Sequence, residues 1–187
     1  MPNNHRPAPE SRRAWRKAVG IPPIVALALL AGCSAKDPFP PPCPNLQLLR
    51  DAGDIASFNG NGQDVTDLLF SARITAIPAS CKEGDSRRIT VATMHVQMQV
   101  QHGVALSGRL ARVPYFVTIM DGDNVLQQQD YVANVKFPDN VDTMAVNMPD
   151  IDMNFPVSTQ KTAAAYTIYV GFRLTPQQLQ YNRRGRN

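Results

Sequence analysis

From residue 64 onward, apolar side chains recur at every second position, and that spacing suits a strand whose successive side chains point to opposite faces. Phe70, Ala72, Ile74 and Ala76 share one face, with Ser71, Arg73 and Thr75 on the other. Met94, Val96, Met98 and Val100 alternate with His95, Gln97 and Gln99. Ile89 and Val91 stand in the opposite phase, which predicts a bulge or twist near Ala92 and Thr93. Val113, Tyr115, Val117 and Ile119 make a third strand, closed by the turn residues Asp121-Gly122-Asp123-Asn124. Tyr131, Ala133, Val135 and Phe137 make a fourth, ended by Pro138-Asp139-Asn140. Three more follow at Met144/Val146/Met148, Ile151/Met153/Phe155 and Tyr166/Ile168/Val170/Phe172. Cys81 to Ser86 reads as a turn, and Leu46 with Leu48 offers an extra strand beside Cys43.

Short alternating strands separated by regular turns predict an all-β fold. The expected architecture is an antiparallel, immunoglobulin-like β-sandwich of about seven strands, because two packed sheets let each bury one face. A short C-terminal helix is predicted after Thr175. Thr at the N-cap, Pro176 at the first helical position and Gln178 three residues on form a capping box, with Leu179 as the apolar contact. The polar, basic tail 182–187 is expected to be disordered.

Charge narrows the function. The chain carries 19 Lys+Arg and 15 Asp+Glu, yet five of the basic residues lie within 1–32 and three more are Arg183, Arg184 and Arg186. The body between has more acid than base. A nucleic-acid binder needs a basic surface that displaces counterions from phosphates, so no nucleic-acid partner is expected.

The amino-terminal segment reads as an address. Arg12 to Lys17 is a positive region, and Ile21 to Leu30 is a ten-residue stretch interrupted only by Pro22-Pro23. At about 1.5 Å per residue it spans half of a ~30 Å hydrocarbon core, which suits a signal peptide rather than a transmembrane helix. It ends in Leu30-Ala31-Gly32-Cys33.

That ending resembles the lipobox of bacterial lipoproteins. The resemblance implies cleavage before Cys33, a thioether diacylglycerol on its sulfur and a fatty acyl group, such as palmitate, on the new amino terminus. Residues 1–32 are then a lipoprotein signal peptide, and the membrane is a partner through the acyl chains on Cys33. Ser34 follows where Asp would retain such a protein at the inner membrane, so the family's sorting logic implies a lipid-anchored outer-membrane protein facing the periplasm. Arg12-Arg13 within Ser11 to Lys17 also resembles a twin-arginine export motif, with Trp15 and Arg16 replacing the usual residues; the general secretory route is the plainer reading. The mature part shares a general likeness with uncharacterised lipoproteins of alphaproteobacteria in Cys43-Pro44, Pro114-Tyr115-Phe116-Val117, and Gly171-Phe172 with Leu174-Thr175-Pro176 and Gln178-Leu179.

Residues 33–44 form a proline-rich tether, with five prolines between Ala35 and Pro44, and 45–181 form the sandwich domain. With Cys33 acylated, Cys43 and Cys81 remain. In an oxidising compartment an even pair reads as a disulfide; two free buried thiols are the alternative.

No catalytic residue, metal site or cofactor is assigned. His95 and His102 are seven residues apart with no third ligand at an informative spacing. Asp121 to Asn124 echoes a calcium loop but has Val132 where the twelfth-position Glu belongs. Asp150 and Asp152 flank Ile151 on one strand, without a facing carboxylate. Asn59-Gly60-Asn61-Gly62 lacks the ending of a phosphate loop, and Ser107 lacks a nucleophile elbow. The methionines suit core filling better than Cu(I). The expectation is a non-enzymatic interaction or scaffold module in envelope assembly or maintenance, with an envelope protein as partner. The alternative is a periplasmic carrier of a small ligand or metal.

Overall fold

The computed structural model describes residues 41–60 and 62–184. The expected signal segment, Cys33 and the expected tether as far as Pro40 lie outside the described residues, as do the tail residues from Gly185 onward. The described chain is all-β with one short helix. Its strands are β1 Asn45–Leu48, β2 Asp54–Phe58, β3 Leu68–Ala76, β4 Ala79–Glu83, β5 Ile89–Met94 and β6 Gln97–His102. There follow β7 Leu110–Asp121, β8 Asn124–Lys136, β9 Thr143–Asn147, β10 Ile151–Pro156 and β11 Tyr166–Phe172, then helix α1 Pro176–Arg184.

Three sheets result, with strand orders β1-β11-β7-β8, β2-β3-β6-β9 and β10-β5-β4. All pairings are antiparallel except β1 with β11, which is parallel. The second and third sheets share their paths. β3 runs on into β4, β5 into β6 and β9 into β10, each breaking at one level of the sheet: Ile77-Pro78, His95-Val96 and Met148 to Asp150. Hydrogen bonds cross the break, from His95 N–H to Pro78 O at 3.2 Å and from Met148 N–H to Val96 O at 2.9 Å. Pro78 and Pro149 supply no N–H, so the ladder lapses around them.

Inward positions of these strands form one core. Phe137, Phe155, Phe172, Met94, Met98 and Ile168 are its largest fully buried members. Strand β7 is central, flanked by β11 and β8, yet holds Pro114. It is tolerated because β11 ends at Phe172, opposite Tyr115. Arg173 N–H donates to Pro114 O at 3.0 Å, and no bond returns.

Several expectations are corrected. Eleven strands replace about seven, partly because the long paths are broken. Cys81 to Glu83 belong to β4, and the turn begins at Gly84. No phase change occurs near Ala92: Thr90, Ala92, Met94, Val96, Met98 and Val100 are all buried, so parity holds through the break. Ile89 and Val91 lie on the outer face, half-buried. The tail was expected to be disordered from residue 182, but Asn182, Arg183 and Arg184 extend α1, held by contacts to the β2 region.

Candidate functional site

A concavity lies on the outer face of β2-β3-β6-β9, and cross-strand register builds its floor. One row runs Asp54, Arg73, Gln99, Ala145; the next runs Ala56, Ser71, Gln101, Thr143. Apart from Ala56 and Ala145, these are polar positions of strands whose other faces enter the core.

Helix α1 makes the wall. Its start is fixed by the capping box: Thr175 N–H donates to Gln178 Oε1 at 2.8 Å, and Gln178 N–H to Thr175 Oγ1 at 3.3 Å. Tyr181 then packs edge-on against Phe58, centroids 5.2 Å apart. Asn182 donates its amide to Asp51 O at 2.8 Å and Asp54 O at 2.7 Å. Arg183 Nε lies 3.0 Å from Asp51 Oδ2. The result is an open groove of about 830 Å³ between helix and sheet.

Its chemistry is that of amides and hydroxyls. Gln63, Gln99, Gln101, Ser71, Thr143 and Asn182 line it beside the charged Arg184, which reaches Gln63 Oε1 at 3.3 Å, and among the described residues no imidazole or thiol does. Its floor carries one ion pair, Arg73 Nε to Asp54 Oδ1 at 2.6 Å. The hydrogen bond and the carboxylate charge raise the Arg73 pKa further, so the guanidinium stays charged. Both partners are largely exposed, so the pair adds little stability. The groove can hydrogen-bond a polar chain or ligand.

The histidines do not converge. His95 sits at the break before β6, with Nδ1 3.3 Å from Asp150 Oδ1 and Nε2 3.1 Å from Gln97 Nε2. His102 sits at the far end of β6, with Nε2 2.9 Å from Gly108 O and its ring edge-on to Phe137. Neither lines the groove. Asp152 is separate from Asp150's contact and accepts from Thr93 Oγ1 at 2.5 Å. Among the described residues no group of three or more His, Cys, Asp or Glu side chains is arranged to hold a metal ion.

The remaining sequence candidates have structural places. Asp121 pairs with Asn124 across the tight β7–β8 turn, where Gly122 adopts φ +57°. Asp121 also takes Lys161 Nζ at 2.5 Å, a bond that raises the lysine pKa, while the ammonium stands 4.4 Å from the Tyr166 ring centre. Met94, Met98 and Met153 are buried in the core, and Met144 and Met148 pack against it. Cys43 and Cys81 are bonded, with Cα atoms 5.6 Å apart.

Sequence reasoning missed the groove and one structural cluster. Arg109 reaches Asp142 Oδ1 at 3.1 Å and the carbonyls of Pro138 and Val141 at 2.6 Å each, with its guanidinium 5.9 Å from the Phe137 ring centre. It clamps the loop from β8 to β9.

Among the described residues no helix is long and apolar enough to cross a membrane. No family model matches the chain, and neither the curated proteins nor the solved structures give a match.

Proposed function

We propose that this chain is a non-enzymatic outer-membrane lipoprotein, anchored through acyl chains on Cys33, whose β-domain is an interaction or scaffold module for envelope assembly or maintenance. The observation that carries the reading is the spacing of three cysteines. Leu30-Ala31-Gly32-Cys33 resembles a lipobox, and the two cysteines beyond it form a disulfide, as a chain exported to an oxidising compartment would have. Two or more acyl chains make membrane attachment effectively stable, at about 0.8 kcal/mol per buried methylene. The tether then holds the domain close to the periplasmic face.

The sheets β1-β11-β7-β8 and β2-β3-β6-β9 are read here as the two layers of an immunoglobulin-like sandwich. The shared core and the amino-terminal strand lying parallel to the last strand support that reading. A groove of amides and hydroxyls favours recognition of a polar partner over chemistry.

The test is Cys33→Ala with metabolic fatty-acid labelling. The expected result is an unprocessed precursor without label, lost from the outer membrane. Label persisting in the variant sinks the anchor. Crosslinked pull-down from membranes then reads the scaffold role: recovery of one envelope protein supports it, and a domain that captures none argues against it.

A further inference from the structure

Five of the sheet edges are short or covered. Strand β1 has four residues, β4 and β9 have five each, and β10 ends in Pro156. The edge of β2 is covered by α1, whose Asn182 takes the Asp54 carbonyl. Strand β8 is different: thirteen residues long, it closes its sheet and has no neighbour on its outer side among the described residues. Val132 on it is 56% exposed. Natural sheets guard such edges or use them.

The direction of the free backbone groups follows from the ladder. Phe137 N–H donates to Arg109 O at 2.8 Å, one step beyond the Leu110–Lys136 pair. Bonded and non-bonded pairs alternate in an antiparallel ladder. Ala133 and Val135 therefore turn their N–H and C=O toward β7. Asp130, Val132, Asn134 and Lys136 turn theirs outward, with side chains on the exposed face.

We propose that β8 pairs antiparallel with β8 of a second copy, about a two-fold axis through Ala133. This register sets Asp130 opposite Lys136 of the second copy, twice by symmetry, and Val132 opposite Asn134. Four outward-facing residues from each chain then complete the ladder, and each charge meets its opposite. Lys136 is exposed and has no ion-pair partner among the described residues. Asp130 meets Arg173 through Oδ2 at 3.4 Å, which leaves its other oxygen free for the lysine. A two-fold axis through Asp130 would oppose two carboxylates, an unfavourable cross-strand pair. Pro38, Pro40, Pro41 and Pro42 lack the N–H groups that a ladder needs, so that segment matches this edge less well than a second copy. The small Ala133 sits at the axis, where non-bonded pairs approach most closely. The interface is isologous, as two-fold dimers require.

The test uses the full chain and is independent of the anchor. Val132→Cys under one epitope tag and Asn134→Cys under another are co-expressed, and all cell fractions are run without reductant. The register predicts a disulfide-linked dimer carrying both tags, because opposed residues of a bonded pair have Cα atoms about 5.5 Å apart, within disulfide reach. Adding Lys136→Asp to both chains opposes carboxylates at two places and should cut the yield about tenfold. Adding Asp130→Lys as well should restore it. Normal formation of the Cys43–Cys81 bond reports that each variant folds. No two-tag dimer from the charge-intact pair, a yield indifferent to the charge changes, or capture of either thiol by a different protein overturns the proposal.

Discussion

The sulfur of Cys43 is bonded to that of Cys81, which joins the residue before Pro44 and β1 to the middle of β4, 38 positions along the chain. A cross-link of that span stabilises chiefly by restricting the unfolded chain, by about 4 kcal/mol at most. Cys81→Ser, or reduction of the native chain, should lower stability by roughly 3 kcal/mol in urea denaturation. Mass spectrometry should recover a peptide linking the two. Full alkylation of both thiols without reductant would contradict the pairing.

The helix is the second target. Thr175→Ala removes one half of the capping box and should destabilise α1 by about 1 kcal/mol, read as roughly fivefold faster amide exchange from Gln178 to Arg184. Asn182→Ala should mobilise the helix in the same way while leaving the core strands protected, because it frees the Asp51 and Asp54 carbonyls only. Exchange unchanged in both variants would show that the helix is held by other contacts.

Tyr115 gives a pH signature. It is buried in stacked contact with Tyr131, centroids 5.1 Å apart, and burial followed by the neighbouring phenol pushes its pKa up to about 12. Burial raises Tyr131 as well. A folded pKa above the unfolded value of ~10 means the native state resists losing this proton. The stabilising contribution is complete below pH ~10 and is lost as pH rises through 12, an effect on the order of 2 kcal/mol. Absorbance titration at alkaline pH should show one phenol ionising only as the fold opens, and Tyr115→Phe should remove that late step. Tyr115 ionising with the exposed tyrosines in the folded state would refute it.

Arg109→Ala should release the loop from Pro138 to Asp142. The side chain's bonds to a carboxylate and two carbonyls are charge-assisted, and their removal should cost about 2 kcal/mol. Arg109→Lys should not rescue it, since a single ammonium nitrogen cannot occupy both positions that Nη1 and Nη2 hold. Faster exchange of the His102 amide, which donates to Asp142 O at 2.7 Å, is the local readout. Equal protection in Lys and Arg forms would show that the fork is unimportant.

The strands that alternate strongly were legible. Val113 to Ile119 and Tyr166 to Phe172 fall in β7 and β11 because their inward positions are large and their outward ones mostly are not. The phase of β5 was not. Ile89 and Val91 are more apolar than Thr90 and Ala92, yet the latter face inward, because the register with β10 and β4 continues the parity of β6. Asp54 to Phe58 gives weak contrast between its faces, so β2 went unread; Ala79 to Glu83 is polar because β4 is an edge. The glutamines of β6 announced a polar face. That α1 would close one side of it depends on Asn182 reaching backbone carbonyls some 130 positions earlier, and no local pattern encodes that contact.

The Cys43–Cys81 bond has a mechanical consequence. A pull applied at the amino-terminal side of Cys43 reaches two routes into the domain, the peptide chain toward β1 and the sulfur bridge to β4. The bridge lets tension reach the β4–β5 hairpin directly as well as β1. Strands β1, β2 and β3 lie inside the covalent loop and are shielded from stretching. A pull at that point is thereby shared with the three-stranded sheet rather than carried by β1 alone.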